Sequence, residues 1–207
     1  MRAASPRPLR RDCRRRRGGA ACGDAAPGGG STSRSTGGFR AQYSTDINVR
    51  LSLLSRAKLR DFFQEIGSGA RYHTAGYLWL AQNGEEMEIL RSALRVQHAA
   101  GLEESREVKA EEIGQINSHV SPAGLVGGAF CPTDGFIRPM QIQQGYLDAA
   151  QRLGVSVAWG EEVRELETGP GGRICRVITG QKEVACQAVV NAAGAWGAPL
   201  AALGGVE

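Results

Sequence analysis

Residues 31–40 read STSRSTGGFR. The hydroxyls of Ser31, Thr32 and Ser33, then Arg34, Ser35 and Thr36, lead through the pair Gly37-Gly38 into Phe39 and Arg40. Without a Cβ, the two glycines let the backbone pass close to a bulky ligand. The hydroxyls and amides around them offer donors to anionic or carbonyl oxygens. Beyond Asp46 a helical spacing of apolar residues sets in, from Val49, Leu51, Leu53, Leu54, Ala57 and Leu59 to Phe62 and Phe63. A polar, Gly-rich loop feeding a helix can seat an electron-rich cofactor. The same composition also describes a plain loop. The order of the later segments decides between the two.

A chain of 207 residues accommodates one substantial domain or two small ones. Its formal net charge of +4 is local in origin. Arg2, Arg7, Arg10, Arg11, Arg14, Arg15, Arg16 and Arg17 stand against the single acid Asp12, and the remainder is slightly acidic. The basic pI near 9.0 is therefore no argument for a nucleic-acid-binding domain, and no nucleic-acid partner is expected. Cys13, Cys22, Cys131, Cys175 and Cys186 show neither metal-ligand spacing nor an even disulfide framework. They read as reduced thiols of a cytoplasmic-type protein, with no metal. No apolar run approaches the roughly 20 residues of a membrane span.

Residues 1–30 combine an Arg block with Ala, Gly and Pro and almost no large apolar side chain. They cannot bury enough surface to offset the entropy of ordering, so a disordered basic tail is expected there. Three readings compete: an organelle transit peptide, which would make the protein mitochondrial; a nucleic-acid arm; or a product of reading frame or start site in GC-rich DNA. The third is preferred, for a reason given below.

Further along, the spacing predicts a helix over 46–65 closed by Gly67 and Gly69, and a strand over 71–82. Asn83-Gly84 is turn chemistry, and 85–100 reads as a helix ending before Gly101. A short helix at 110–116 and a strand at 124–131 precede the Asp134-Gly135 turn. The segment 139–153 is helical, with Pro139 at its start and Gly154 after its end. Strands are expected at 155–159, 162–167, 173–179 and 183–191, separated by Pro170-Gly171-Gly172 and Gly180. Val189 and Val190 read as the end of an inner strand. Its turn at Gly194 would let a ligand approach the carboxyl end of a sheet, and a simple strand-to-helix connection is the alternative. His73, His98 and His119 stand in no motif that marks a catalytic base.

Five ordered segments now combine: STSRSTGGFRAQYS (31–44), TAGYLWLA (74–81), DGFIRPMQIQQGYLDAAQRLGVSV (134–157), GEEVREL (160–166) and VVNAAGAW (189–196). Together they resemble the D-amino-acid-oxidase-like superfamily of FAD-dependent oxidoreductases, nearest the sarcosine oxidase β-subunit and glycine oxidase branch. The resemblance implies an α/β (α+β) fold, a glutathione-reductase-type FAD-binding domain interleaved with a β-sheet substrate domain. Residues 31–66 and 134–207 would belong to the former and 67–133 to the latter, both partial. It further implies that Arg34, Ser35, Thr36, Gly37 and Gly38 lie against the flavin, with the glycines in closest approach. Arg40 matches a basic position near the isoalloxazine ring, where positive charge stabilises the reduced, anionic flavin. Val163 matches a residue whose main chain meets the adenine. Ala193, Gly194 and Trp196 match a turn reaching the cofactor from the other side.

Relatives begin with a strand, a GxGxxG turn, a helix and an acidic-ended strand. In this chain RRRRGGAACGDAAPGGG occupies that place, which favours a frame or start-site origin for residues 1–30. Relatives also continue past Glu207. A form truncated at both ends, with impaired activity, is therefore expected. The reaction implied is oxidation of the C–N bond of a small amino acid or N-methyl amino acid, of the sarcosine or glycine kind, with FAD as cofactor. The alternative is a non-catalytic subunit or interaction module that works with partner subunits of an amine dehydrogenase.

Overall fold

The computed structural model describes residues 20–23 and 26–206. Its first elements are β1 (Ala20–Gly23), β2 (Gly38–Phe39), α1 (Asp46–Arg60), α2 (Phe62–Ile66), β3 (His73–Thr74), β4 (Tyr77–Ala81) and α3 (Gly84–Ala99). β5 (Arg106–Lys109), α4 (Ala110–Ile116), β6 (Gly127–Cys131), β7 (Gly135–Phe136) and α5 (Pro139–Arg152) follow. The last are β8 (Ser156–Trp159), β9 (Val163–Thr168), β10 (Ile174–Thr179), β11 (Glu183–Ala185) and α6 (Gly197–Leu203). Among the described residues no helix is long and apolar enough to cross a membrane.

The described residues form two compact units, one of residues 31–146 and one that joins the described residues before 31 with those from 147 on. By compactness, 67–133 groups with 31–66 and 134–146.

In the 31–146 unit, β4, β6 and β5 make one antiparallel sheet with β6 central, and β2, β7 and β3 make a second with β7 central. The core joins Ala41, Val49, Ala100, Leu102 and Cys131, with Tyr43 and Leu53 packed against it. α3 starts at Gly84, one residue before the expected 85, because Asn83 is its cap and not only a turn residue: the Asn83 side chain accepts the Glu86 N–H at 2.9 Å. Glu86 in turn accepts the Gln82 N–H at 2.7 Å. Met87, Leu94 and Gln97 form its buried face.

The expected helix over 46–65 is two helices. The chain bends at Asp61, and the bend turns Phe62 inward to 1% exposure while Phe63 stays exposed. The expected strand over 71–82 is likewise two strands, which join different sheets. Between them the Ala75 and Gly76 N–H groups donate to the Asp134 carbonyl at 3.1 and 2.8 Å instead of to a strand. The strand expected from 124 begins at Gly127, after a turn in which the Leu125 N–H bonds Pro122 O.

In the other unit, β9, β10 and β11 form an antiparallel meander. Arg176 on the central strand reaches Glu167 at 3.1 Å and Glu183 at 3.3 Å. β1 pairs with β8 in parallel, Ala20 opposite Ser156 through Gly23 opposite Trp159. The tail expected to be disordered over 1–30 thus contains a paired strand. Its residues 1–19 and 24–25 lie outside the described residues. The strand expected over 183–191, ending with Val189 and Val190, is cut short: β11 stops at Ala185, and Val190 is 89% exposed. The partner strand β10 begins at Ile174, so the chain beyond residue 187 has run past the end of its ladder.

Candidate functional site

The loop of residues 31–40 opens with a single 3-10 turn, Thr32–Arg34, that leaves Arg34 exposed. Ser35 Oγ accepts the Gly37 N–H at 3.1 Å. Gly37 has φ +79° and faces its own fold: a Cβ there would stand 2.3 Å from the Ile137 carbonyl oxygen. The close approach that demands glycine is therefore to protein backbone. Gly38 differs, since a Cβ there would meet only Thr36 Oγ1, at 3.9 Å. Gly38 and Thr36 line a cavity of about 410 Å³ together with Phe39, Arg40, Tyr43, Ser52, Tyr77 and Phe136.

Arg40 is the charged member of that wall. Its guanidinium carbon lies 5.1 Å from the centre of the Tyr43 ring, 5.5 Å from Tyr77 and 5.0 Å from Trp79. Such a box holds a cation against the negative faces of the rings. Arg40 Nη1 donates to the Tyr77 hydroxyl at 3.3 Å, but the buried Nε has no hydrogen-bond partner. A buried donor left open in this way favours an electron-rich or anionic group beside it. Among the described residues no cluster of His, Cys, Asp or Glu is set to hold a metal.

Asp134 holds this wall together. The residue is fully buried, and its Oδ1 accepts the Ala41 N–H at 2.9 Å. Its Oδ2 accepts Gln42 Nε2 at 3.3 Å, and the same amide donates to Tyr77 O at 2.9 Å. Burial pushes the Asp134 carboxyl above its ordinary range, against the opposing hydrogen bonds from Ala41 and Gln42. Nearby, Tyr72 donates to Thr133 O, and burial with the Asp134 charge raises its hydroxyl to about 12. Burial likewise raises the Cys131 thiol.

Of the residues singled out in the sequence, Thr36, Gly38 and Arg40 thus meet at one cavity, while Arg34 and Ser35 stand on the exposed turn before it. Val163, Ala193, Gly194 and Trp196 belong to the other unit. Val163 opens β9 opposite Thr179 and is half-buried. Ala193 precedes a 3-10 turn over Gly194–Trp196, in which Gly194 has φ +57° and Trp196 is 73% exposed. Sequence reasoning missed Tyr43, Tyr77, Trp79 and Asp134. An Asp-Gly pair signals a turn, and nothing local distinguishes a solvated turn from one whose carboxylate is an interior anchor.

A model of the family described as FAD dependent oxidoreductase matches residues 20–206, so the match takes in β1 as well as the segments that carry the resemblance. FAD-dependent oxidoreductase domain-containing protein 1 of Bos taurus is 28% identical over 200 residues, which cover 85% of this chain and 41% of the bovine protein. L-proline dehydrogenase from P. horikoshii has a TM-score of 0.81 at 24% identity, covering 91% of this chain and 50% of that one. Glycine oxidase from Geobacillus kaustophilus has a TM-score of 0.80 at 24% identity, covering 91% of this chain and 52% of that one. At those identities the two structures show a common fold. The chain spans about half the length of these solved structures, and less of the bovine relative. By the match across residues 20–206, this chain belongs to the FAD dependent oxidoreductase family, whose cofactor is FAD.

Proposed function

We propose that the chain is part of an enzyme that oxidises the C–N bond of a small amino acid or N-methyl amino acid of the glycine or sarcosine kind. The observation that carries this reading is Arg40: a cation boxed by three rings, with a buried Nε open, at the wall of a cavity large enough for a ring-sized ligand. Those features fit a flavin. Thr36, Gly38 and Ser52 offer hydroxyls and an open backbone approach, and Arg40 offers positive charge. Bound FAD supplies the two-electron acceptor for amine oxidation. This chain's residues would hold and orient it, exclude water with the aromatic wall, and set positive charge beside the reacting centre. The solved relatives named above, a proline dehydrogenase and a glycine oxidase, support an amino-acid substrate.

The test is anaerobic mixing of the flavin-loaded protein with glycine, sarcosine and proline. Loss of the oxidised-flavin absorbance with at least one of them is expected. No loss with any of the three would overturn the assignment to small amino acids.

A further inference from the structure

Asp134 does not itself line the cavity, yet two separate segments, 41–42 and 75–76, converge on it. Its carboxylate takes the Ala41 N–H and the Gln42 side chain, and its carbonyl takes the N–H groups of Ala75 and Gly76. Beside each bonded atom stands a wall residue of the cavity: Arg40 precedes Ala41, Tyr77 follows Gly76, and Phe136 lies two positions past Asp134. A carboxylate in this place offers only acceptors. It therefore forces the Gln42 amide to present its NH2 group, which also donates to Tyr77 O, and the Gln42 Oε1 is left buried without a partner. Leaving an acceptor open and burying a carboxyl both cost stability. A turn could be closed by Asn without the second of these costs.

We infer that Asp134 is a positioning residue: by fixing the Ala41 peptide and the Gln42 amide it sets the Arg40 guanidinium in the box of Tyr43, Tyr77 and Trp79. In Asp134→Asn the side chain can still accept the Ala41 N–H, but its NH2 group meets the Gln42 NH2 group. Gln42 must then rotate and release Tyr77 O. The peptide on one side of the box and the ring on the other both lose their fixed spacing.

The inference builds on the cavity assigned above, but its test needs no flavin. The full chain carrying Trp159→Phe and Trp196→Phe emits from Trp79 alone, whose ring is 5.0 Å from the Arg40 guanidinium. Arg40→Ala in that background defines the emission change caused by loss of the cation. Asp134→Asn is expected to shift Trp79 emission in the same direction by roughly half that amount or more, and to add nothing once Arg40 is Ala. Gln42→Leu, which cuts the relay to Tyr77 and keeps the Ala41 bond, is expected to give a smaller shift of the same sign. It also stands in if Asp134→Asn does not fold. Melting temperatures are recorded for every variant. Lower melting temperatures with Trp79 emission unchanged would make Asp134 a purely structural residue and overturn the inference. Failure of all three amines to reduce the flavin would remove the amine-oxidation reading and leave this result standing.

Discussion

The Ile137 N–H donates to Gly37 O at 2.8 Å, and a Cβ on Gly37 would lie only 2.3 Å from Ile137 O. The two residues stitch β2 to the segment after β7, and that contact sets where the cavity wall begins. Gly37→Ala combines a left-handed backbone with a clash against main chain, so a loss of about 2–6 kcal/mol of stability is expected. Gly38→Ala meets no such obstacle and is expected to cost less than about 1 kcal/mol. Urea unfolding of the two variants checks both. Equal losses would contradict the assignment of the glycine requirement to Ile137.

Gly145 makes the opposite case to helix propensity. It lies inside α5, where Ala ordinarily gains about 1 kcal/mol over Gly. A Cβ there would stand 2.7 Å from Ser68 Cβ and 2.9 Å from Phe62 Cε1, against a ring that also packs edge-on with Tyr146 at 5.0 Å. Gly145→Ala is therefore expected to destabilise by about 1–3 kcal/mol. A rise in melting temperature would show that α5 can shift away from Phe62.

Arg40 is predicted to act through charge in the flavin-loaded protein. Reduction adds negative charge to the flavin, and a cation several ångströms away favours that state by up to a few kcal/mol at an effective dielectric of ~20. Arg40→Ala should make the flavin reduction potential more negative and slow reduction by substrate, with a smaller effect on FAD affinity. Arg40→Lys should restore only part of this, because a point charge on a flexible stem does not stack on three rings as a planar guanidinium does. Potentials of the three proteins decide it, and an unchanged value in Arg40→Ala removes Arg40 from the chemistry.

Carboxyl titration should separate two classes of acid. The Lys109 N–H and Arg106 hold Glu112 below 4.5, and the hydrogen bond from Arg91 does the same for Glu107. Groups lowered in this way support the fold above 4.5, and that support is lost as pH falls through their folded values. Asp134 behaves in reverse. Burial raises it above 3.8, so its contribution is present below 3.8 and is lost as pH rises through its folded value. Side-chain carbon NMR should give midpoints below 4.5 for Glu107 and Glu112, and above 3.8 for Asp134. An Asp134 midpoint below 3.8 would show that its hydrogen bonds outweigh its burial.

The sequence by itself determined the family, through five ordered segments, and the elements whose signals are local. α3 follows from its apolar residues and Gly101 after its end, and α5 from Pro139 at its start and Gly154 after its end. Wherever the deciding partner lay far along the chain, only the tertiary structure could choose. TAGYLWLA reads as one strand, yet Ala75 and Gly76 are drawn to the Asp134 carbonyl and the run divides between two sheets. Val189 and Val190 read as an inner strand, yet β10 ends its ladder before reaching them. Arg40 meets the Tyr77 ring of its box across a separation of 37 positions, and the Ala41 peptide that follows it is held by a carboxylate 93 positions away. Propensity and periodicity encode what a residue does with its near neighbours. Burial of a charge, and the hydrogen bonds that accompany it, exist only once the distant segments have closed on one another.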